Sequence, residues 1–141
     1  MTAHGPARLD DSTELLYRQV HPNHVPDAGL SKAAFLPTKA EELMLSTCRG
    51  RIGAEKAYDR WIANKCATVG SYGISVAEVD STQFEDPKTK ILSALHAVDD
   101  EVTQGPDHAS VVFTALATKG QREQAARKLR DHAFERGCLH P

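Results

Sequence analysis

The chain reads as an α+β domain with a mostly antiparallel or mixed sheet of about five strands and two main helices packed on it. Three observations predict this class. Short segments with alternating apolar residues follow one another with few helical stretches between them. Two longer windows, Ala54–Val69 and Lys119–Arg136, carry apolar residues at helical spacing instead. The strand–helix alternation that a doubly wound parallel sheet requires does not run through the chain. The 141 residues fit one domain with a core of its own, divided here into a tail over 1–13 and a domain over 14–141.

Met1–Ser12 is polar, holds Gly5 and Pro6 and lacks an apolar period, so a loose tail is expected. Glu14–Val20 follows as a strand, with Leu15, Tyr17 and Gln19 on one face and Leu16, Arg18 and Val20 on the other. Arg18 thus lies in the middle of the more apolar face. An unpaired guanidinium is costly there, so it needs an anion or the sheet's edge. His21-Pro22-Asn23-His24-Val25-Pro26 breaks the strand, because proline lacks the ladder donor and holds its predecessor extended.

After a turn at Asp27-Ala28-Gly29, Ala33–Pro37 and Glu42–Cys48 read as two short strands. In the second, Leu43, Leu45 and Thr47 share one face and Met44, Ser46 and Cys48 the other. Along Ala54–Val69 the helical stripe is Ala54, Ala57, Tyr58, Trp61, Ile62, Cys66 and Val69, which assigns Trp61 and Cys66 to the core. Tyr72–Val79 alternates as a strand and puts Glu78 at the end of the face formed by Tyr72, Ile74 and Val76. Asp86-Pro87, with Ile91, Leu92, Leu95 and Val98 at helical spacing, predicts a helix, although a strand fits nearly as well. Gln104–Asp107 is a turn. His108–Ala115 is then a strand with Ala109, Val111, Phe113 and Ala115 toward the core and His108 at its mouth on the polar face. Lys119–Arg136 is a helix: Thr118-Lys119-Gly120-Gln121 matches a capping box, Ala125, Ala126, Leu129 and Ala133 form a stripe, and Gly137 caps the end.

Charge and motifs narrow the function classes. Seventeen Lys and Arg against nineteen Asp and Glu leave a net charge of −2, so no basic field draws the chain to nucleic acid. No signal peptide or long apolar run suggests a membrane. The three widely spaced cysteines fit free thiols in a reducing, cytoplasmic setting. Neither a phosphate-cradling glycine loop nor a nucleophile elbow occurs. The densest cluster of chemically capable groups is Glu14–His24, and Tyr17, Arg18, His21 and His24 are expected to converge with His108 on a binding surface at the end of the first strand. Arg18 and Glu78, both in line with apolar residues, are expected to pair. His21 and His24 supply two of the three or four ligands that zinc needs, with Cys138 and His140 within reach only if the C-terminus folds back, so neither metal nor cofactor is expected.

Leu15–Pro22 (LLYRQVHP), Phe35 with Pro37, Leu45-Ser46, the Gly-Ile-Ser-Val-Ala-Glu run at 73–78, His108-Ala109 and Arg136-Gly137-Cys138-Leu139 together resemble a group of small, uncharacterised bacterial proteins. That resemblance covers most of the chain from residue 14 and implies a bacterial, cytoplasmic, single-domain protein without assigning an activity. The order Arg18, Ser46-Thr47-Cys48, Glu78 is also similar to one class of ADP-ribosyltransferases, which uses an early-strand arginine, a Ser-Thr-Ser strand and a later glutamate. It implies NAD as cofactor, with Arg18 on a phosphate, Ser46 at the nicotinamide ribose and Glu78 at the oxocarbenium-like centre. Cys48 stands in place of the third serine, and Val76 stands where that class has an acid or a glutamine. Two functional expectations result. One is an accessory or binding protein that meets a macromolecular partner through the His21–Val25 loop and the Lys119–Arg136 helix. The other is an NAD-dependent transferase with Arg18, Ser46 and Glu78 as its catalytic candidates.

Overall fold

The apolar alternation resolves into a six-stranded antiparallel sheet in the computed structural model, which describes residues 7–22, 30–37, 43–63, 68–116 and 118–141. The strands in chain order are β1 (Ala7–Arg8), β2 (Leu15–Gln19), β3 (Met44–Arg49), β4 (Ser71–Ser75), β5 (Gln83–Glu85), β6 (Leu92–Ala94), β7 (His96–Asp99) and β8 (His108–Val112). Across the sheet they run β1-β7-β8-β3-β2-β4, and β5 and β6 form a separate hairpin. The helices are α1 (Ala54–Ala63), α2 (Val76–Asp80), α3 (Glu101–Gln104) and α4 (Lys119–Arg136). The described residues therefore show the expected α+β class, and none of their helices is long and apolar enough to cross a membrane.

Register sorts the side chains onto two unlike faces. Leu16, Leu45, Ile74, Ala97, Ala109 and Val111 share one face and are fully buried. On it, α4 lays Ala125, Ala126, Leu129 and Ala133, with Phe35 and Phe113 filling the same core. Each fully buried leucine or phenylalanine contributes about 1.5–3 kcal/mol, so this face carries most of the stability. The α4 helix has the bounds its sequence predicts. Thr118 accepts from the Gln121 N–H at 3.1 Å, and Gly137, at φ 87°, lets its own N–H close back on Ala133 and Phe134.

Several segments differ from expectation. Within the supposed tail, Ala7 and Arg8 pair with β7 and Leu9 is buried, because a two-residue edge strand needs no periodicity to find a ladder. Lys32–Phe35 is a 3-10 turn capped by Ser31 rather than a strand, and it drives Ala34 and Phe35 into the core. The window around Ile91–Val98 is strand, and Asp86 accepts from the Lys88 and Thr89 N–H groups to turn the hairpin instead of starting a helix. Ile91 and Leu92 are exposed. Ala115 is exposed too, since β8 ends at Val112.

Glu78 is the correction with the largest functional consequence. The strand stops at Ser75, which opens α2 as a reciprocal capping box. The Ser75 hydroxyl accepts from the Glu78 N–H at 3.1 Å, and the Glu78 carboxylate accepts from the Ser75 N–H at 2.8 Å. That local exchange satisfies two helix-end donors and outweighs the short alternating pattern.

Candidate active site

The second face of the sheet is polar. Tyr17 on β2, Cys48 on β3 and His108 on β8 stand in a row across three strands, with Ser46 opposite Ser110 two residues further along. Helix α1 covers part of this face but buries only Ala57, leaving Trp61 half-exposed one turn later. On the other side the chain closes over through α3 and the Gly105–Asp107 turn. Gly105 at φ 112° and Asp107 at φ 61° reverse the backbone sharply into β8, so His108 is the strand's first residue. Arg51 and Arg60 hold Asp107 at 2.6 and 3.3 Å, and Arg60 also donates to the Pro106 carbonyl at 2.8 Å. Between these walls lies a cavity of about 400 Å³, lined by Tyr17, Arg18, Ser46, Trp61, Gln104 and His108 among others.

At its floor four side chains form a chain of hydrogen bonds. The Ser46 hydroxyl lies 2.5 Å from His108 Nε2, and His108 Nδ1 lies 2.6 Å from Asp100 Oδ1. Asp100 Oδ2 accepts from Ser110 at 2.5 Å. A carboxylate accepts and does not donate, so Nδ1 carries the ring hydrogen, and in the neutral ring Nε2 accepts from Ser46. Asp100 is the N-cap residue of α3 yet makes no side-chain cap there; its carboxylate is committed to His108 and Ser110. Burial falls along the chain: the Asp100 side chain is 3% exposed and that of His108 is 18%.

Arg18 lines the same cavity. The β2–β3 ladder spans two residue pairs, Leu16 with Arg49 and Tyr17 with Cys48. Beyond them the guanidinium donates to the Ser46 carbonyl and to the Ala34 carbonyl, both at 2.9 Å. It thereby supplies donors to backbone acceptors and pins the residue that carries the cavity's hydroxyl. Burial pushes the Cys48 thiol up from its ordinary value, so at neutral pH it remains protonated beside Ser46.

Of the residues singled out from sequence, Tyr17, Arg18, Ser46 and His108 line one cavity. His21 is exposed at the end of β2 and is not part of the cavity wall, and His24 lies outside the described residues. Glu78 is elsewhere: Arg136 donates to it through two nitrogens at 3.0 and 2.9 Å, and His132 approaches at 3.3 Å. The expected Arg18–Glu78 pair is therefore replaced by Arg136–Glu78, and the order Arg18, Ser46, Glu78 does not assemble in one cavity. Trp61 belongs to the cavity wall rather than to the core, and Cys66 lies outside the described residues. Among the described residues no three His, Cys, Asp or Glu side chains are grouped to hold a metal ion. Sequence reasoning does not reach Asp100, Ser110, Arg60 or Gln104 as site residues: an acid eight residues before a histidine follows no fixed motif. No protein-family model matches the chain, and neither does any curated protein or solved structure.

Proposed function

We propose that the cavity is the active site of a small acyl-transfer hydrolase, with Ser46 as nucleophile, His108 as general base and Asp100 as the group that orients the imidazole. The observation that carries this reading is the unbroken Ser46–His108–Asp100 chain at 2.5 and 2.6 Å, with its serine end in a cavity and its aspartate end buried. In the reaction the Ser46 oxygen attacks a substrate carbonyl as its proton passes to His108 Nε2. The leaving group then takes that proton as its bond to the carbonyl carbon breaks, leaving an acyl-serine. Water, deprotonated by the same nitrogen, releases the acid and restores Ser46. Arg18 and Arg60 add positive potential to the cavity wall while their N–H groups donate to the Ala34, Ser46 and Pro106 carbonyls and to Asp107.

The test is labelling by a fluorophosphonate, read by peptide mass spectrometry, alongside hydrolysis of 4-nitrophenyl acetate and butyrate. Ser46 should be the labelled residue, and Ser46→Ala and His108→Gln should abolish both signals. A folded wild-type protein that neither labels at Ser46 nor turns over ester overturns the proposal. The transferase reading asks for Glu78 beside Arg18 and Ser46, and the engagement of its carboxylate by Arg136 counts against that arrangement.

A second reading, an accessory protein acting with a macromolecular partner, has Phe134 in its favour. This aromatic is 53% exposed on the outer face of α4, with Asp131 and Arg127 one and two turns before it. Loss of the biological effect in Phe134→Asp but not in Ser46→Ala would favour it.

A further inference from the structure

Three facts about the cavity bear on what fits it. Its volume, about 400 Å³, suits a small molecule and not a folded partner. Its reactive pair lies at the sheet floor, where Ser46 and His108 meet. Two large aromatic side chains line it, Tyr17 on β2 and Trp61 on α1. Trp61 lies one turn beyond Ala57, the residue that seats α1 on the sheet, so the indole projects from the same side of the helix but past the packed contact. A partly exposed indole lining the same cavity as the Ser46 hydroxyl is apolar area that a ligand can cover. Tyr17 stands two strands from His108 in one cross-sheet row, Tyr17–Cys48–His108, and two strand spacings amount to about 10 Å. A single aryl ring joined directly to a carbonyl fits within that span.

Resting on the acyl-transfer reading of the same cavity, we infer that its substrate is an aryl ester or aryl amide. The ring lies against Trp61 and Tyr17, and the carbonyl reaches Ser46. Tyr17 and Trp61 are then the specificity residues, while Ser46 and His108 carry the chemistry.

Trp61 is the single tryptophan of the chain, so its emission reports occupancy of this cavity directly. The experiment uses Ser46→Ala protein, which binds without turnover, titrated with benzamide and with cyclohexanecarboxamide as an apolar but non-aromatic control of the same ring size. We expect saturable quenching by the benzamide and, by calorimetry, an affinity about three- to tenfold higher than for the control. Trp61→Phe should keep that preference and Trp61→Leu should lose it, with circular dichroism verifying that both fold. Equal affinity for the two amides, or a saturable heat without change in Trp61 emission, overturns the inference. Ser46 labelling without aryl preference overturns this inference and leaves the hydrolase reading standing. Aryl preference without Ser46 labelling does the reverse.

Discussion

Removing Asp100 tests whether the buried end of the relay is as tightly committed as its geometry implies. The carboxylate is 3% exposed and accepts two hydrogen bonds, from His108 at 2.6 Å and from Ser110 at 2.5 Å. Asp100→Ala leaves the His108 Nδ1–H and the Ser110 hydroxyl without that acceptor. A hydrogen bond to a charged group contributes about 1.5–3 kcal/mol, and removing a buried charge recovers part of its desolvation, so the net loss should be about 2–4 kcal/mol. Urea denaturation measures it through the midpoint at constant slope. Asp100→Asn should behave differently. Ser110 can turn to accept from the new amide nitrogen, which leaves the amide oxygen facing His108 and keeps the same tautomer. The asparagine variant should therefore be more stable than the alanine variant and label at Ser46 more slowly than wild type but faster than Asp100→Ala. An Asp100→Ala protein within about 1 kcal/mol of wild type would refute the reasoning, since no buried acceptor of two short bonds is removed so cheaply.

Three further outcomes follow from the same structure. Burial pushes the Glu78 carboxyl up, but the Arg136 hydrogen bonds, the Ser75 N–H and the charges of Arg136 and His132 more than offset this and hold it below its ordinary value. Its stabilisation is present above the ordinary glutamate value and is lost as pH falls through the depressed one. Acid melts should therefore show Glu78→Gln less stable near neutrality and less steeply dependent on pH below it. Cys48, its thiol raised by burial, should react slowly with iodoacetamide in the native protein at neutral pH and rapidly in urea, by peptide mapping. Arg18→Met should cost at least about 1–3 kcal/mol in urea melts, through the Ala34 and Ser46 carbonyls that lose its donors.

The parts of the fold legible in the sequence are those set by period and by caps. Helix α4 was readable because a stripe, a capping threonine and a terminal glycine agree over eighteen residues. Strands β2, β3 and β8 were readable from alternation, which placed Ser46 and His108 on the polar side of the sheet. The α2 helix was missed although Ser75-x-x-Glu78 is a capping-box spelling, because five residues of alternation looked the same as a strand's continuation. Trp61 was misplaced for a different reason. A helical stripe says which residues share a face, and here that face looks partly onto a cavity. Asp100 could not be found by spacing at all. It reaches His108 only because β7 and β8 are neighbours in the sheet and the Gly105–Asp107 turn folds back between them.

The gradient of burial along the relay separates a site from a structural network, and Ser46 is where the two diverge. In a network kept for stability every member is satisfied from within, and deleting either end leaves a buried group unpaired. Here the aspartate end is enclosed, whereas His108 is 18% exposed and Ser46 opens to the cavity. Water entering that space can replace the Ser46 hydroxyl at Nε2, so Ser46→Ala should lower stability by no more than about 1 kcal/mol while removing fluorophosphonate labelling altogether. Asp100→Ala reverses the proportion, with a large loss in the melt and residual labelling at Ser46. Measured together, the two variants give a stability cost that rises toward the core and a chemical cost that rises toward the cavity. Were Ser46→Ala as destabilising as Asp100→Ala, the chain of hydrogen bonds would be holding β3 to β8, and the acyl-transfer reading would lose its physical basis.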